Sequence, residues 1–127
     1  AYEFKKLVNE SIGIIISLAE HNGSYTSAFK NIYDWISVIE KTVWSNKPLI
    51  LLSTSDGQNA GKTVLQAALS RFSRQSHQEI PHFALPKFNE NFSDTDGIID
   101  KKLSEELDKQ ISIFSRQVEG LLDSSHN

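Results

Sequence analysis

The 127-residue sequence contains no cysteine, and this absence excludes several kinds of site. A disulfide framework, a thiolate-ligated zinc or iron–sulfur centre and a cysteine nucleophile all require thiols. Long hydrophobic runs are also absent, since the longest apolar stretches, Ile14–Ile16 and Leu49–Leu52, are far shorter than the ~20 residues that span a bilayer. We therefore expect no membrane contact and, by default, a cytoplasmic location.

Positive charge is not in excess, because 13 Lys and Arg residues are set against 16 Asp and Glu residues, for a net charge of −3. These charges are interspersed and form no basic stripe of the kind that attracts phosphate backbones, so nucleic acid is not an expected partner. The amino terminus has neither an initiator Met nor the apolar core of a signal peptide. We expect a single domain taken from a longer or processed protein.

Short apolar runs alternate along the chain with longer segments of helical periodicity, and this order predicts a parallel sheet with helices on its faces. The predicted strands are Gly13–Leu18, Leu49–Leu52 after Pro48, and His82–Leu85 before Pro86. Because the first run is unbroken and rich in Ile, we expect that strand to be buried on both faces.

The predicted helices follow from apolar residues at spacings of three and four. They are Tyr2–Val8, Tyr25–Glu40, a helix after Gly61 whose inner face includes Val64, Leu65, Ala68, Leu69 and Phe72, and Lys101–Leu122 with Asp100 as its N-cap. The last helix also fits a short coiled-coil seam. Residues 87–97 are rich in Asn, Asp, Ser and Phe and predict an irregular ordered loop.

Ligands of such a sheet bind beyond the carboxyl ends of the strands, so the loops after Leu18, Leu52 and Leu85 are the places to search for a site. The first loop reads Ala-Glu-His-Asn-Gly-Ser over residues 19–24, and the following segment contains Lys30-Asn31 and Asp34-Trp35. This segment resembles the NADPH-dependent FMN reductase family, in which a Pro-Glu-Tyr-Asn-like loop precedes a Leu-Lys-Asn-Ala-x-Asp-Trp helix. The positions that match are Glu20, Asn22, Ser24, Lys30, Asn31, Asp34 and Trp35, while Ala19 replaces the usual Pro and His21 the usual Tyr.

The second loop has two interpretations. Residues 53–57, Ser-Thr-Ser-Asp-Gly, are similar to the Ser-Thr-Ser-Pro-Gly-Gly loop that flanks the flavin in the same family, with Asp56 in place of Pro. The same segment ends in Gly61-Lys62-Thr63, which is similar to a phosphate-binding P-loop whose first glycine is replaced by Asp56. An acid beside phosphates is unfavourable, and no second acidic motif supplies a partner for magnesium.

The third loop, after the third strand, resembles a Leu-Pro-x-Phe-x-x-Asn-Phe stretch found in some family members. The alternative interpretation is that Phe88 and Phe92 simply pack against the end of the sheet.

The resemblance implies a flavodoxin-like three-layer α/β fold over residues 1–127, lacking its first two strands, with the phosphate-binding start of the family absent before Ala1. It implies FMN and NADPH or NADH as cofactors, a small electron acceptor such as a quinone, an azo compound or free flavin, and a homodimer or homotetramer. No catalytic side chain and no metal are implied. The residues expected to line the flavin ring are Glu20, His21, Asn22, Gly23, Ser24, Thr54, Ser55, Asp56 and Gly57.

Alternatives remain for both the missing start and the function. The chain is a fragment, or another chain covers the exposed sheet edge, or the domain is a remnant that cannot hold the phosphate of FMN. In place of an NAD(P)H-dependent FMN reductase, the chain could be a non-enzymatic flavodoxin-like electron carrier or binding module, or a P-loop nucleotide binder.

Overall fold

The structure, a computed structural model, describes residues 2–18, 44, 46–74 and 78–125. Its helices are α1 (Tyr2–Glu10), α2 (Lys62–Ser73), the one-turn α3 (Phe88–Asn91) and α4 (Lys101–Ser125). Its strands are β1 (Ile14–Leu18), β2 (Leu49–Thr54), β3 (His82–Leu85) and the two-residue strands β4 (Phe92–Ser93) and β5 (Gly97–Ile98). The predicted helix Tyr25–Glu40 lies outside the described residues.

The main sheet has the order β1-β2-β3, and both pairings are parallel. Ile14 is in register with Leu49, and Leu51 is in register with His82. The three predicted strands are therefore confirmed, and so is the predicted parallel α/β architecture. Pro48 lies before β2, where it donates no ladder bond, and its carbonyl oxygen accepts a hydrogen bond from the Ile14 N–H at 2.9 Å.

The main core lies between one face of the sheet and helices α1 and α2. Leu49 and Leu51 of β2 pack with the predicted inner face of α2, of which Val64, Leu65, Ala68 and Phe72 are buried and Leu69 is partly buried. Burying each large apolar side chain contributes roughly 1.5–3 kcal/mol. The helical periodicity of the sequence thus predicted correctly which face of α2 is buried.

The opposite face of the sheet is covered unevenly. Ile50 and Phe83 are buried at 3% and 7% exposure, and α4 contacts β2 and β3. Ile15 shares this face because it pairs with Ile50, yet it is 68% exposed. The prediction that β1 is buried on both faces is therefore wrong for Ile15, and Ser17 beside it is exposed as well.

Helix α4 begins as predicted, because the Asp100 carboxylate accepts a hydrogen bond from the Leu103 N–H at 2.9 Å. Two glutamines of this helix bind the backbone at β3: the His82 N–H donates to the Gln110 side chain at 3.1 Å, and the Gln117 amide donates to the Glu79 carbonyl oxygen at 2.6 Å. The apolar face of α4 is only partly covered, since its residues near the sheet are half-buried and Ile111 is 45% exposed.

Residues 87–97 are more regular than the predicted loop, since they contain α3 and the antiparallel pair β4–β5. None of the described helices combines the length and the apolar composition needed to cross a membrane.

The close contact between Gly13 and α4 predicts that a larger residue at position 13 destabilises the fold. A Cβ atom at Gly13 would lie 2.8 Å from Phe114 Cζ and 2.9 Å from Val118 Cγ2, whereas a Cβ atom at Gly120 would have no neighbour within 4 Å. Gly13→Ala should therefore lower the free energy of unfolding by about 1–3 kcal/mol through overpacking. Gly120→Ala, in the interior of α4, should raise it by roughly 0.5–1 kcal/mol.

Urea denaturation of the two variants measures both changes. If Gly13→Ala were as stable as the unchanged protein, α4 would not pack against the start of β1.

Candidate functional site

The candidate site lies at the carboxyl ends of β2 and β3, where two polar loops meet. Residues 55–61 connect β2 to α2, and Pro86 and Lys87 connect β3 to α3. The predicted flavin-lining residues Thr54, Ser55, Asp56 and Gly57 all lie in or beside the first of these loops. The remaining ones, Glu20, His21, Asn22, Gly23 and Ser24, lie outside the described residues.

Backbone hydrogen bonds join the two loops directly. The Lys87 N–H donates to the Gly57 carbonyl oxygen at 3.0 Å, and the Phe88 N–H donates to the Ser55 carbonyl oxygen at 2.9 Å. At the strand ends, the Thr54 hydroxyl donates to the Leu85 carbonyl oxygen at 2.7 Å. The two loops therefore form one surface, in which Lys87 and Phe88 are neighbours of the predicted site.

Lys87 adopts a left-handed backbone conformation with φ 47°, which costs a non-glycine residue about 1 kcal/mol or more. Its N–H is bonded to Gly57, and its carbonyl oxygen accepts hydrogen bonds from the N–H groups of Glu90 and Asn91. The Asn91 side chain in turn donates to the Pro86 carbonyl oxygen at 2.8 Å. These bonds offset the strain and fix the turn that carries Phe88.

The turn into α2 depends on two further residues with positive φ, Ala60 at 59° and Gly61 at 74°. Ser53 is buried, and its hydroxyl donates to the Ala60 carbonyl oxygen at 2.8 Å. Gly61 lies against the same serine, since a Cβ atom there would be 3.1 Å from Ser53 Cβ. The loop therefore returns tightly onto the end of β2.

This geometry bears on the P-loop interpretation. A P-loop directs its backbone N–H groups at the phosphates. Here the Lys62 N–H donates to the Asn59 carbonyl oxygen at 2.9 Å, and the Asn59 side chain approaches the Thr63 hydroxyl at 3.4 Å. Groups that would bind phosphate and magnesium are thus occupied within the loop, so the structure does not favour a phosphate cradle.

The tip of the loop offers hydrogen-bond donors to a ligand. Asp56 and Gly57 are exposed, and within the described residues their N–H groups have no hydrogen-bond partner. Among the described residues, a Cβ atom at Gly57 would have only Ser55 Oγ, at 4.0 Å, as a neighbour, so this part of the chain leaves open space there. Free backbone donors beside an open, side-chain-free position suit the carbonyl oxygens and ring nitrogens of a flat heterocycle such as the isoalloxazine of FMN.

Thr54 and Ser55 can contact a ligand through their side chains, in contrast to the backbone N–H groups of Asp56 and Gly57. Because the Thr54 hydroxyl proton is already bonded to Leu85, Thr54 offers a ligand only acceptor lone pairs and a methyl group. Within the described part of the chain, the Ser55 hydroxyl makes only a long 3.5 Å contact with the Gly57 carbonyl oxygen, which leaves it available to a ligand.

A cleft of about 290 Å³ lies between α2 and α4 beside β3, with Lys62, His82, Leu103 and Glu106 in its lining. It includes none of the four predicted residues, so the candidate site is an open surface of the loops rather than this cleft.

Phe88 is 36% exposed, so the interpretation that Phe88 and Phe92 pack against the end of the sheet accounts for only part of its surface. The two rings stack on each other, with centroids 4.9 Å apart and an angle of 17° between their planes. The Leu-Pro-x-Phe resemblance was the signal in the sequence that could have placed Phe88 at the site.

Comparisons with known proteins agree with this fold. A model of the NADPH-dependent FMN reductase family matches residues 1–90. Among solved structures, FerB, a flavoenzyme NAD(P)H:(acceptor) oxidoreductase from Paracoccus denitrificans, is similar with a TM-score of 0.71 at 18% sequence identity. That match covers 94% of this chain and 67% of the FerB chain. At this identity it shows a shared fold, which extends beyond the 90 residues of the family match. No curated protein matches the sequence.

Replacement of the two glycines of the β2–α2 loop by alanine should affect the free energy of unfolding differently. Gly61→Ala adds a Cβ atom to a buried residue at φ 74°, 3.1 Å from Ser53 Cβ, and should lower the free energy of unfolding by about 1–3 kcal/mol. Gly57→Ala meets no atom nearer than 4.0 Å and should change it by less than about 0.5 kcal/mol. Chemical denaturation compares the two. Equal losses would mean that Gly57, like Gly61, is required by the fold.

Proposed function

The chain belongs to the NADPH-dependent FMN reductase family, and we propose that it passes electrons from NAD(P)H, through FMN, to a small acceptor such as a quinone, an azo compound or free flavin. Membership gives the general activity, an FMN-dependent NAD(P)H oxidoreductase with FMN and NAD(P)H as cofactors. When bound, FMN supplies the hydride and electron chemistry, while the protein supplies position and hydrogen bonds. The class of acceptor is the part that we propose.

The observation that carries the placement of FMN is the tip of the β2–α2 loop. The N–H groups of Asp56 and Gly57, which have no partner among the described residues, lie at the carboxyl end of a parallel strand, where ligands of such sheets bind. We infer that these donors bind polar atoms along the edge of the flavin ring, and that Thr54 and Ser55 flank it. No acid–base pair of side chains is needed for this chemistry.

The opposite wall of the ring is assigned to residues 20–24, Glu-His-Asn-Gly-Ser, on the basis of the sequence resemblance. In this proposal His21 stacks on the ring or hydrogen-bonds to it. A cytoplasmic location and a homodimer or homotetramer also remain predictions of that resemblance.

The two other functions considered are less well supported. Family membership favours an enzyme over a non-enzymatic electron carrier, which would bind flavin without oxidising NADPH. A P-loop nucleotide binder would have to bind ATP or GTP with magnesium and lose that binding in Lys62→Ala. Against it, the Lys62 N–H is already bonded to the Asn59 carbonyl oxygen.

We expect the purified protein, in its longest natural form, to retain FMN absorption bands through desalting and to oxidise NADPH when a quinone is supplied. A visible spectrum followed by steady-state turnover tests both points. A preparation that stays colourless after mixing with FMN would overturn the proposal, while bound flavin without NADPH oxidation would favour the electron carrier.

Substitution at Gly57 tests the position of the ring. Gly57→Leu places a bulky side chain in the open space beside the free N–H groups, and we expect the Kd for FMN to rise at least about tenfold, a loss of about 1.4 kcal/mol. The control is Gly120→Ala on α4, where an added Cβ atom meets nothing within 4 Å. Titration by flavin fluorescence measures both. An unchanged Kd in Gly57→Leu would show that the flavin lies elsewhere.

A further inference from the structure

The stacked rings of Phe88 and Phe92 form an aromatic pair on the turn that follows β3. Their planes are 17° apart and their centroids are 4.9 Å apart, which is the geometry of a stacked pair. One side of the Phe88 ring is therefore covered by Phe92. The residue is nevertheless 36% exposed, so part of its ring surface is left in water. Exposure alone does not single out this ring, but Phe88 differs from the other exposed apolar residues because its turn is bonded to the loop after β2.

The turn that carries Phe88 is fixed to the candidate site. The Phe88 N–H donates to the Ser55 carbonyl oxygen, and the N–H of the preceding Lys87 donates to the Gly57 carbonyl oxygen. The far end of α3 is held as well, because the Asn91 carbonyl oxygen accepts a hydrogen bond from the Ile99 N–H at 2.8 Å. The ring is thus attached to an ordered turn next to the open position at Gly57, and little ordering is needed when a ligand binds.

We propose that Phe88 is a specificity-determining residue, whose exposed ring surface stacks with the electron acceptor and selects planar aromatic acceptors. This inference rests on the proposed function and narrows its acceptor to the class of aromatic quinones. An aromatic ring favours another planar π-system through offset stacking, a contact that a compact inorganic acceptor such as ferricyanide does not make.

The overall reaction is balanced. NAD(P)H gives up a hydride, which carries two electrons and one proton, and becomes NAD(P)⁺. The quinone takes up the two electrons, that proton and a second proton from water, and its two carbonyl groups become hydroxyl groups. Phe88 takes no part in these transfers, because its role is to bind the acceptor.

The test compares two phenylalanines of nearly equal exposure. Phe88 is 36% exposed in the stacked pair. Phe4, on α1, is 37% exposed and makes an edge-to-face contact with Trp44, with ring centroids 6.1 Å apart. Phe88→Leu and Phe4→Leu remove the same ring from different places. The FMN-loaded enzyme and each variant are assayed with NADPH and either 1,4-naphthoquinone or ferricyanide, and the ratio of the two kcat/KM values is taken.

We expect this ratio, quinone over ferricyanide, to fall about five- to tenfold in Phe88→Leu, which corresponds to ~1–1.4 kcal/mol of lost stacking. The ratio should stay the same in Phe4→Leu. Phe88→Tyr keeps an aromatic ring at this position and should therefore retain most of the original ratio. The Kd for FMN in Phe88→Leu should remain within about twofold of the original, since the ring is proposed to bind the acceptor and not the cofactor.

Three results would overturn the inference. The first is an unchanged ratio in Phe88→Leu, and the second is an equal fall in both variants. The third is a large rise in the Kd for FMN, which would make Phe88 part of the cofactor site. These three results concern the variants only. The proposed function is unaffected by them as long as the original enzyme reduces an acceptor with NADPH. If the FMN-loaded original enzyme oxidises NADPH with neither acceptor, the proposed function fails and the inference fails with it.

Discussion

The backbone hydrogen bonds from Lys87 and Phe88 to the carbonyl oxygens of Gly57 and Ser55 unite the loops that follow β2 and β3. Without them the β2–α2 loop and the α3 turn would be separate surface segments. With them, the N–H groups of Asp56 and Gly57, unpartnered among the described residues, and the exposed ring of Phe88 share one surface at the carboxyl end of the sheet. Both the proposed cofactor contact and the proposed acceptor contact depend on that union. Since the bonds involve only main-chain atoms, side-chain substitutions on this surface can change ligand binding while the loops remain joined.

The local features of the fold could be predicted from the sequence because each is encoded by residues close together along the chain. The strand His82–Leu85, the buried face of α2 and the Asp100 cap of α4 follow from apolar runs, helical spacing and one capping carboxylate. The hydrogen bonds between loops could not be predicted in this way. Gly57 and Lys87 are distant in sequence, and the left-handed conformation of Lys87 is not one that a lysine favours by itself. The one-turn α3 and the two-residue strands β4 and β5 are local but too short to show a periodicity, so residues 87–97 were predicted only as an irregular loop.

Burial was harder to predict than secondary structure. An unbroken Ile run predicts burial on both faces of a strand, yet Ile15 is exposed while its partner Ile50 is buried. The difference depends on how far α4 extends over the sheet, which a pattern within β1 does not encode. For the site, the resemblance predicts the loop after β2, and the structure shows that Lys87 and Phe88 are bonded to that loop. The predicted residues before that loop, from Glu20 to Ser24, lie outside the described part of the chain and stay a prediction.

The glutamines of α4 have a further consequence for the sheet. Gln110 accepts the outward-facing N–H of His82, and Gln117 binds the carbonyl oxygen of Glu79 just before β3. The His82 N–H, one of the backbone groups that β3 directs away from β2, is therefore already bonded to a side chain. A further strand that paired with β3 at this residue would first have to displace the Gln110 side chain. Gln110 thus protects the first residue of an edge strand while it attaches α4 to the sheet.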